Sequence, residues 1–561
     1  MKYSVLSTAI VAVCFANTLM VGLNASAAKK ATDPAPAAPL KPLGNASAPQ
    51  GGMFTINFSA EPSTLNPITG TDLYNAKIKG YVTDSLMERD PNTYEWIPAL
   101  AEKFEISKDG KTYTFTLRKD ATFSDGKAVT VEDVKFSFDV IFDPKYNAAQ
   151  MRPYFEGIEK VEIVDPQTVR FVTKEKYFGN FETAAGMNIL PIHFYGNADE
   201  GVKKNKTILG SGPYLLEKYD QGQSLTLVRN KKWWGNKVDQ RKGEYNFERI
   251  RFRFIKDDNF EIETLKKGDL DYVEMTPEVF MKKTDGQEWG KSVFKVKTEN
   301  LEPKPFDYIG WNLKRDLFKD KDVRLALAML TNRAEMNQKF RYGMSLLATG
   351  PWYQQSEYAD SSIKPIQFDP KKANALLKKA GWMDSDKNGI LDKVIDGKKV
   401  EFHFSLSYAN PEKKKYWELF QSDLKKNGIV MDLQQLDFNA LLKSMDENHF
   451  DAVGLSWGGG SVDLDPKQIW HSSSAGKGGS NFINYSNPEV DKLIDQARIE
   501  TDKKKRVDLL RKVYKTIAED APYDFLFNDK FVLYGRSTHV TTPKATYKFE
   551  TGTSYWWAAA K

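Results

Sequence analysis

The chain has a single cysteine among its 561 residues, Cys14, and that residue lies in an apolar N-terminal stretch. Val13 precedes it, where a lipid-modified cysteine would follow a small residue, and apolar sequence continues beyond it. With that stretch removed the mature chain holds no thiol, which excludes disulfides, thiol catalysis and cysteine metal sites together. Histidine is also scarce: the five lie at positions 193, 403, 449, 471 and 539, and none is spaced from another as helical metal-binding pairs are. No metal and no cofactor is therefore expected. The sequence lacks a Gly-x-Ser-x-Gly elbow, a phosphate loop and a dinucleotide fingerprint; Gly458-Gly459-Gly460-Ser461 is followed by neither the Lys nor the helix opening that a phosphate cradle needs. Charge of one sign is missing too. The 81 basic residues face 75 acidic ones, interspersed and without a long basic block, so nucleic acid is not an expected partner.

What is present points to a large exported protein. A prior of roughly 150 residues per domain gives three or four domains, and 41% apolar with 28% charged residues suits a folded, solvated body. Phe, Trp and Tyr reach 13%, enough to fill cores and to line a ligand cleft. Lys2, the apolar run Val5 to Leu23 and the small residues Ala25-Ser26-Ala27 read as a signal peptide over 1–27, cleaved after Ala27. Ser7, Thr8, Asn17 and Thr18 dilute the run below what a spanning anchor prefers. A periplasmic protein without a lipid anchor is expected. Residues 28–52, rich in Pro and Ala, read as a flexible linker.

From Met53 onward strand and helix patterns alternate, the mark of an α/β protein. Tyr113, Phe115 and Leu117 alternate with Thr, and Ile250, Phe252 and Phe254 with Arg251 and Arg253, as in strands with one buried face. Asp369-Pro370 opens a helix that Gly381 closes, Asn487-Pro488-Glu489 opens another, and a third spans Thr501 to Asp520 before Pro522. Asp384, Asp386, Asn388, Gly389 and Asp392 are spaced much as in a calcium loop, but Ile395 replaces its closing Glu. An Asx-rich turn and a calcium site are both compatible with the spacing.

Several segments resemble the family-5 extracellular solute-binding proteins, the dipeptide and oligopeptide binders of ABC importers. They are Glu61-Pro62-Ser63-Thr64-Leu65-Asn66-Pro67; Pro98 to Glu102 with Asp109-Gly110-Lys111-Thr112-Tyr113; Phe123-Ser124-Asp125-Gly126 with Val131-Glu132-Asp133-Val134; Gly210 to Tyr214 with Arg229-Asn230; and Tyr308 to Asn312 with Asp322-Val323-Arg324. Their joint order is more specific than any one of them. The resemblance implies a two-lobed periplasmic-binding-protein-like fold (type II) with an extra domain inserted in the first lobe. It would place lobe I at 51–85, 205–305 and 530–561, the inserted domain at 86–204 and lobe II at 306–529, with two or more crossings between the lobes.

The same resemblance implies that a Trp ending a lobe II strand and the loop after it meet the ligand. Here these are Trp457, Gly458, Gly459 and Gly460. An aromatic wall beside three glycines would let a peptide backbone approach and hydrogen-bond whatever its side chains. Many oligopeptide binders place an Asp soon after the Trp to pair with the ligand's ammonium group; that place is Gly460 here, and Asp463 or Asp465 would take the role. Tyr74 and Asn75 fall where the resemblance puts cleft residues of the first lobe, and Asn312 at an inter-lobe crossing, as a hinge or cleft-lining residue. The expected protein is a monomeric non-enzyme that delivers a peptide to a membrane permease. The rivals are a non-peptide ligand on the same fold, such as a metal chelate, sugar or haem; a secreted hydrolase using Asp463 and Asp465 as paired carboxylates; and a receptor that presents its ligand to a membrane sensor.

Overall fold

The computed structural model describes residues 41–560 apart from 71, 477, 478 and 545. The signal peptide of 1–27 and residues 28–40 of the linker lie outside the described residues. No helix among the described residues is long and apolar enough to cross a membrane. The fold is mixed α/β, built on three larger sheets.

A seven-stranded sheet has the order Val293–Thr298, Val532–Ser537, Tyr272–Glu274, Met53–Phe58, Arg249–Phe254, Ser224–Arg229, Tyr214–Asp220. Met53–Phe58 runs parallel to Arg249–Phe254, Phe54 facing Ile250 and Ile56 facing Phe252. The alternation in the second strand buries Ile250 and Phe252, while Phe254 at its end is half-buried. These residues pack with Ile78, Val82 and Trp556 on one face; Ile262, Leu265, Val273 and Leu533 belong to a second core.

A six-stranded mixed sheet has the order Ser345–Leu347, Tyr523–Asp529, Phe306–Trp311, Ala452–Trp457, His403–Tyr408, Val430–Gln435. One core joins Ile309, Leu406 and Leu526 to the helices Lys321–Leu330, Pro370–Lys379 and Lys414–Lys425. Another joins Tyr308 and Phe525 to Pro488–Ile499 and Lys503–Asp520. The last helix starts two residues after Thr501, because Asp502 takes the cap and accepts from the Lys505 amide at 3.0 Å. The chain crosses between the two sheets twice, at 299–305 and at 530–531.

The third sheet is four-stranded and antiparallel: Ala101–Ile106, Thr112–Leu117, Thr168–Thr173, Ile158–Asp165. Its core of Tyr113, Phe115, Leu117 and Phe171 is continuous with Trp233 and Trp234, which come from a later part of the chain. The motif Asp109-Gly110 is the turn between its first two strands. Gly110 adopts φ +71°, and Asp109 accepts the Lys111 amide at 3.0 Å. Thr130 and Asp133 form a capping box over the helix Val131–Phe142, and buried Asp133 also accepts the Ile192 amide at 2.9 Å.

The linker reading is corrected over its second half. Leu43 donates its amide to the Gln240 carbonyl at 3.0 Å, and its own carbonyl accepts the Tyr547 hydroxyl at 2.8 Å; Gly51 donates to Asn246 at 2.8 Å. These backbone bonds fasten 43–51 to the body. At the calcium-like loop the carboxylates of Asp384, Asp386 and Asp392 lie within 4.8 Å of one another. Lys399 already pairs with Asp386 and, at 3.3 Å, with Asp392.

Candidate functional site

The crossings lie at one edge of the six-stranded sheet. Ala452–Trp457 and His403–Tyr408 run parallel and point their carboxyl ends to that edge, where Phe306 faces both Trp457 and Asn528. Loops at the carboxyl ends of parallel strands form the ligand crevices of such sheets. Trp457 is half-buried there, its ring near-parallel to Tyr308 at 6.2 Å and to Phe482 at 6.1 Å. Its Nε1 donates to the Tyr523 hydroxyl at 3.4 Å. Packing thus fixes the indole plane. Gly458 and Gly460 are exposed, and Gly459 presses on the crossing loop: a Cβ built there would stand 2.1 Å from the Pro303 carbonyl oxygen.

Beneath this loop Asp307 accepts from Lys413 at 2.6 Å, from Arg341 at 2.8 Å and from the Ser456 hydroxyl. Burial pushes this carboxyl up, but Lys413 and Arg341 overcome it and hold Asp307 below the usual range. Arg341 also pairs with Asp529 at the second crossing. A cavity of about 210 Å³ lies beside Asp307, lined in part by Asn410, Trp417 and Ser456.

Asp463 and Asp465 have protein partners. Asp463 accepts the Tyr358 hydroxyl and the Arg89 guanidinium, each at 2.8 Å. Asp465 accepts the Tyr177 hydroxyl at 2.8 Å and Arg498 Nε at 2.9 Å. Arg89 also lies over the Trp96 ring at 3.8 Å, and Arg506 over Phe178 at 4.5 Å. The two carboxylates therefore join the loop after Trp457 to residues 89–182. An amine-anchoring role for either would require displacing an arginine, and their use as a hydrolytic pair has the same obstacle. Arg89, Tyr177, Tyr358 and Arg498 carry no local sequence signal, because the contact between Arg89 and Asp463 spans 374 positions.

Tyr74, half-buried on the helix Leu73–Val82, packs on Phe58 at 4.8 Å, where the strand Met53–Phe58 ends. Asn75 instead is buried and donates to the Thr64 carbonyl at 2.8 Å, holding the loop before its helix. Asn312 is corrected more sharply. It follows Trp311, at the opposite end of the strand from the crossing, and is fully buried with its amide donating to the Phe450 carbonyl at 2.8 Å. It braces the sheet.

On the seven-stranded sheet a cavity of about 380 Å³ opens between the sheet face, Tyr81, and residues 550–554. Glu302 from the first crossing and Glu550 from the chain after the second both line it. The edge, the crossings and this cavity together offer aromatic walls, free backbone groups and carboxylates, which suit reversible capture.

Comparison with known proteins finds a family and several relatives. Residues 95–479 match the family model described as bacterial extracellular solute-binding proteins, family 5, middle region. The oligopeptide-binding protein AppA of Bacillus subtilis is 31% identical over 492 residues, covering 85% of this chain and 86% of that protein. Heme-binding protein A of Haemophilus influenzae is 27% identical, with 81% and 83% covered. Among solved structures, AppA in complex with a nonapeptide superposes with a TM-score of 0.71 at 28% identity, covering 92% of this chain and 100% of that one. NikZ of Campylobacter jejuni in complex with Ni(L-His) shares the fold at a TM-score of 0.71 and 23% identity, with 90% and 99% covered.

Proposed function

The chain belongs to the family-5 bacterial extracellular solute-binding proteins, the substrate-binding proteins of ABC importers, and on that premise we propose that it captures peptides, oligopeptides foremost, between two lobes and delivers them to a membrane permease. The observation that carries the peptide reading is the match to AppA, whose similarity extends over most of both chains and whose structure holds a nonapeptide. The lobes are the parts built on the seven- and six-stranded sheets, hinged at 299–305 and 530–531. Residues 86–204 side with the first lobe, through the core that includes Trp233 and Trp234.

In this reading the ligand lies along Trp457 and Gly458 to Gly460, with Tyr74 and the cavity beside Glu550 on the other side. Exposed glycine backbone offers hydrogen bonds to an extended peptide, and the indole offers apolar surface. Asp463 and Asp465 act in closure: their bonds to Arg89 and Tyr177 hold residues 89–182 against the second lobe and stabilise the shut form over the open one. The protein acts in the periplasm after export, as a monomer and without covalent chemistry.

Native mass spectrometry of the purified protein, followed by denaturing release, tests the reading. Co-released peptides are the expected result. A released haem or nickel chelate, or a protein that ignores a peptide library, would overturn peptide capture. Turnover of a peptide or glycoside would overturn the binding reading itself.

A further inference from the structure

The chain as a whole is basic, with 81 Lys and Arg against 75 Asp and Glu. The cavity on the seven-stranded sheet has the opposite sign. Glu274, Glu302 and Glu550 line it, against Lys77 as its single cation. Its walls are aromatic: Phe252 and Tyr272 come from the two strands that flank Met53–Phe58, with Tyr81 at 6.0 Å from Phe252 and Tyr245 at 6.4 Å from Tyr81. Aromatic faces attract cations, and carboxylates at the rim add to that field.

The ground behind the cavity is short of positive charge as well. Glu244, next to the lining residue Tyr245, is only 5% exposed; its Oε2 accepts from Arg241 at 3.2 Å, and its Oε1 has no partner. Arg241 is shared with Glu88 at 2.8 Å, so one guanidinium serves two carboxylates. Glu302 pairs with the buried Lys304 at 3.7 Å, whereas Glu550 has no ion pair among the described residues. Burial, then Glu302, Glu88 and Asp90, pushes its carboxyl up to about 7. Burial also pushes Glu244 up to about 8, with Glu88 and Glu550 adding to it against Arg241. In both, burial is the main force against the charged form.

We infer that this cavity receives a cationic side chain of the ligand, a lysine amine or an arginine guanidinium, so that the protein selects ligands with positively charged side chains. The inference rests on the reading of the chain as a ligand-capturing protein and names the chemistry of what it captures. The aromatic walls take the apolar stem, and Glu550, the lining carboxylate nearest to being free of a partner, takes the charge. The cation enters as Glu550 gives its proton to solvent.

The test is isothermal titration at pH 7 with matched pentapeptides carrying lysine or its uncharged isostere norleucine, each with a free and with an acetylated N-terminus. A cationic group worth about one tenfold step in affinity is expected. The lysine peptide binds more tightly than the norleucine one, the gap shrinks as salt rises, and proton release appears as a buffer-dependent heat. Glu550→Gln narrows the gap between the lysine and norleucine peptides, and its circular dichroism matches the parent. If the preference tracks the free N-terminus instead of lysine, the α-ammonium carries it and the inference falls while peptide capture survives. If acetylated norleucine peptide binds as tightly as the others, the inference falls while peptide capture survives. If no peptide binds, agmatine decides: a thermal shift lost in Glu550→Gln keeps the cation site and overturns the peptide reading, and no shift overturns both.

Discussion

Gly459 gives the sharpest mechanical test of the crossing. An alanine there places its Cβ 2.1 Å from the Pro303 carbonyl oxygen, 2.4 Å from its carbon and 3.0 Å from the Lys304 nitrogen. All three are backbone atoms, so no side chain can swing away, and the loops must part by about 1 Å to restore ordinary contact. Overpacking of this kind costs about 1–3 kcal/mol. For a folding unit of 150–250 residues 1 kcal/mol lowers Tm by about 2–4 °C, which puts the loss at several degrees. The strain belongs to the arrangement in which the loop presses on the crossing and is relieved when the lobes part. Ligand affinity should therefore fall as well, by about tenfold for each 1.4 kcal/mol. Gly458→Ala is the control, because a Cβ there meets nothing within 4 Å. Thermal denaturation with and without peptide reads both effects. Equal Tm and equal affinity in the two variants would refute the argument that Gly459 is held by the crossing loop.

Trp457→Ala should weaken peptide binding by about tenfold or more while leaving the far-ultraviolet dichroism intact; undiminished binding would remove Trp457 from the site. A double-mutant cycle over Arg89→Ala and Asp463→Ala should give a coupling of about 1–3 kcal/mol, read from ligand affinity and from stability. Additive losses would show that the pair does not act as a latch. Millimolar calcium should leave Tm unchanged, since Lys399 already serves the carboxylates of the Asp384 to Asp392 loop. A rise of several degrees would reinstate the metal reading.

Much of the fold could be read from the sequence because its signals are local. Alternation at Tyr113, Phe115 and Leu117 predicts a strand with one buried face, and that face is buried. Asp369, Asn487 and Asp502 each cap a helix where the pattern begins. The segments that carry the family resemblance have structural work: Asp109-Gly110 makes a turn, and Thr130 with Asp133 caps a helix. Such motifs identify the fold and are silent about the ligand. Asn312, read as a hinge or cleft-lining residue, lies buried at the far end of its strand from the crossing, because the linear pattern does not say at which end of a strand the chain crosses. Asp463 and Asp465 stood out as carboxylates near the glycine run, yet their partners lie far off in the chain. The same holds for the acidic cavity, which assembles Glu302 and Glu550 from the two sides of the crossings.

The protons on that cavity couple two properties in opposite directions. Glu550 and Glu244 have folded pKa values near 7 and 8, above their ordinary 4.5. Between about pH 4.5 and 8 the folded protein therefore binds protons that the unfolded chain has already lost. Stability contributed by these groups is present in acid and is lost as pH rises through their folded values. Burial first, then Glu302, Glu88 and Asp90, raises Glu550; the cations nearby are Lys77 in the lining and Lys304, which pairs with Glu302, and they leave the direction upward. A cationic ligand does the reverse: it binds best when Glu550 is ionised, releases its proton below that pKa, and gains affinity from pH 6 to 8. Free protein should thus melt higher at pH 6 than at pH 8, while the stabilisation added by the lysine pentapeptide should be larger at pH 8. Glu550→Gln should flatten both trends. Two slopes of the same sign, or opposite slopes that survive Glu550→Gln, would detach ligand binding from these protons and leave the cavity's charge without a role in capture.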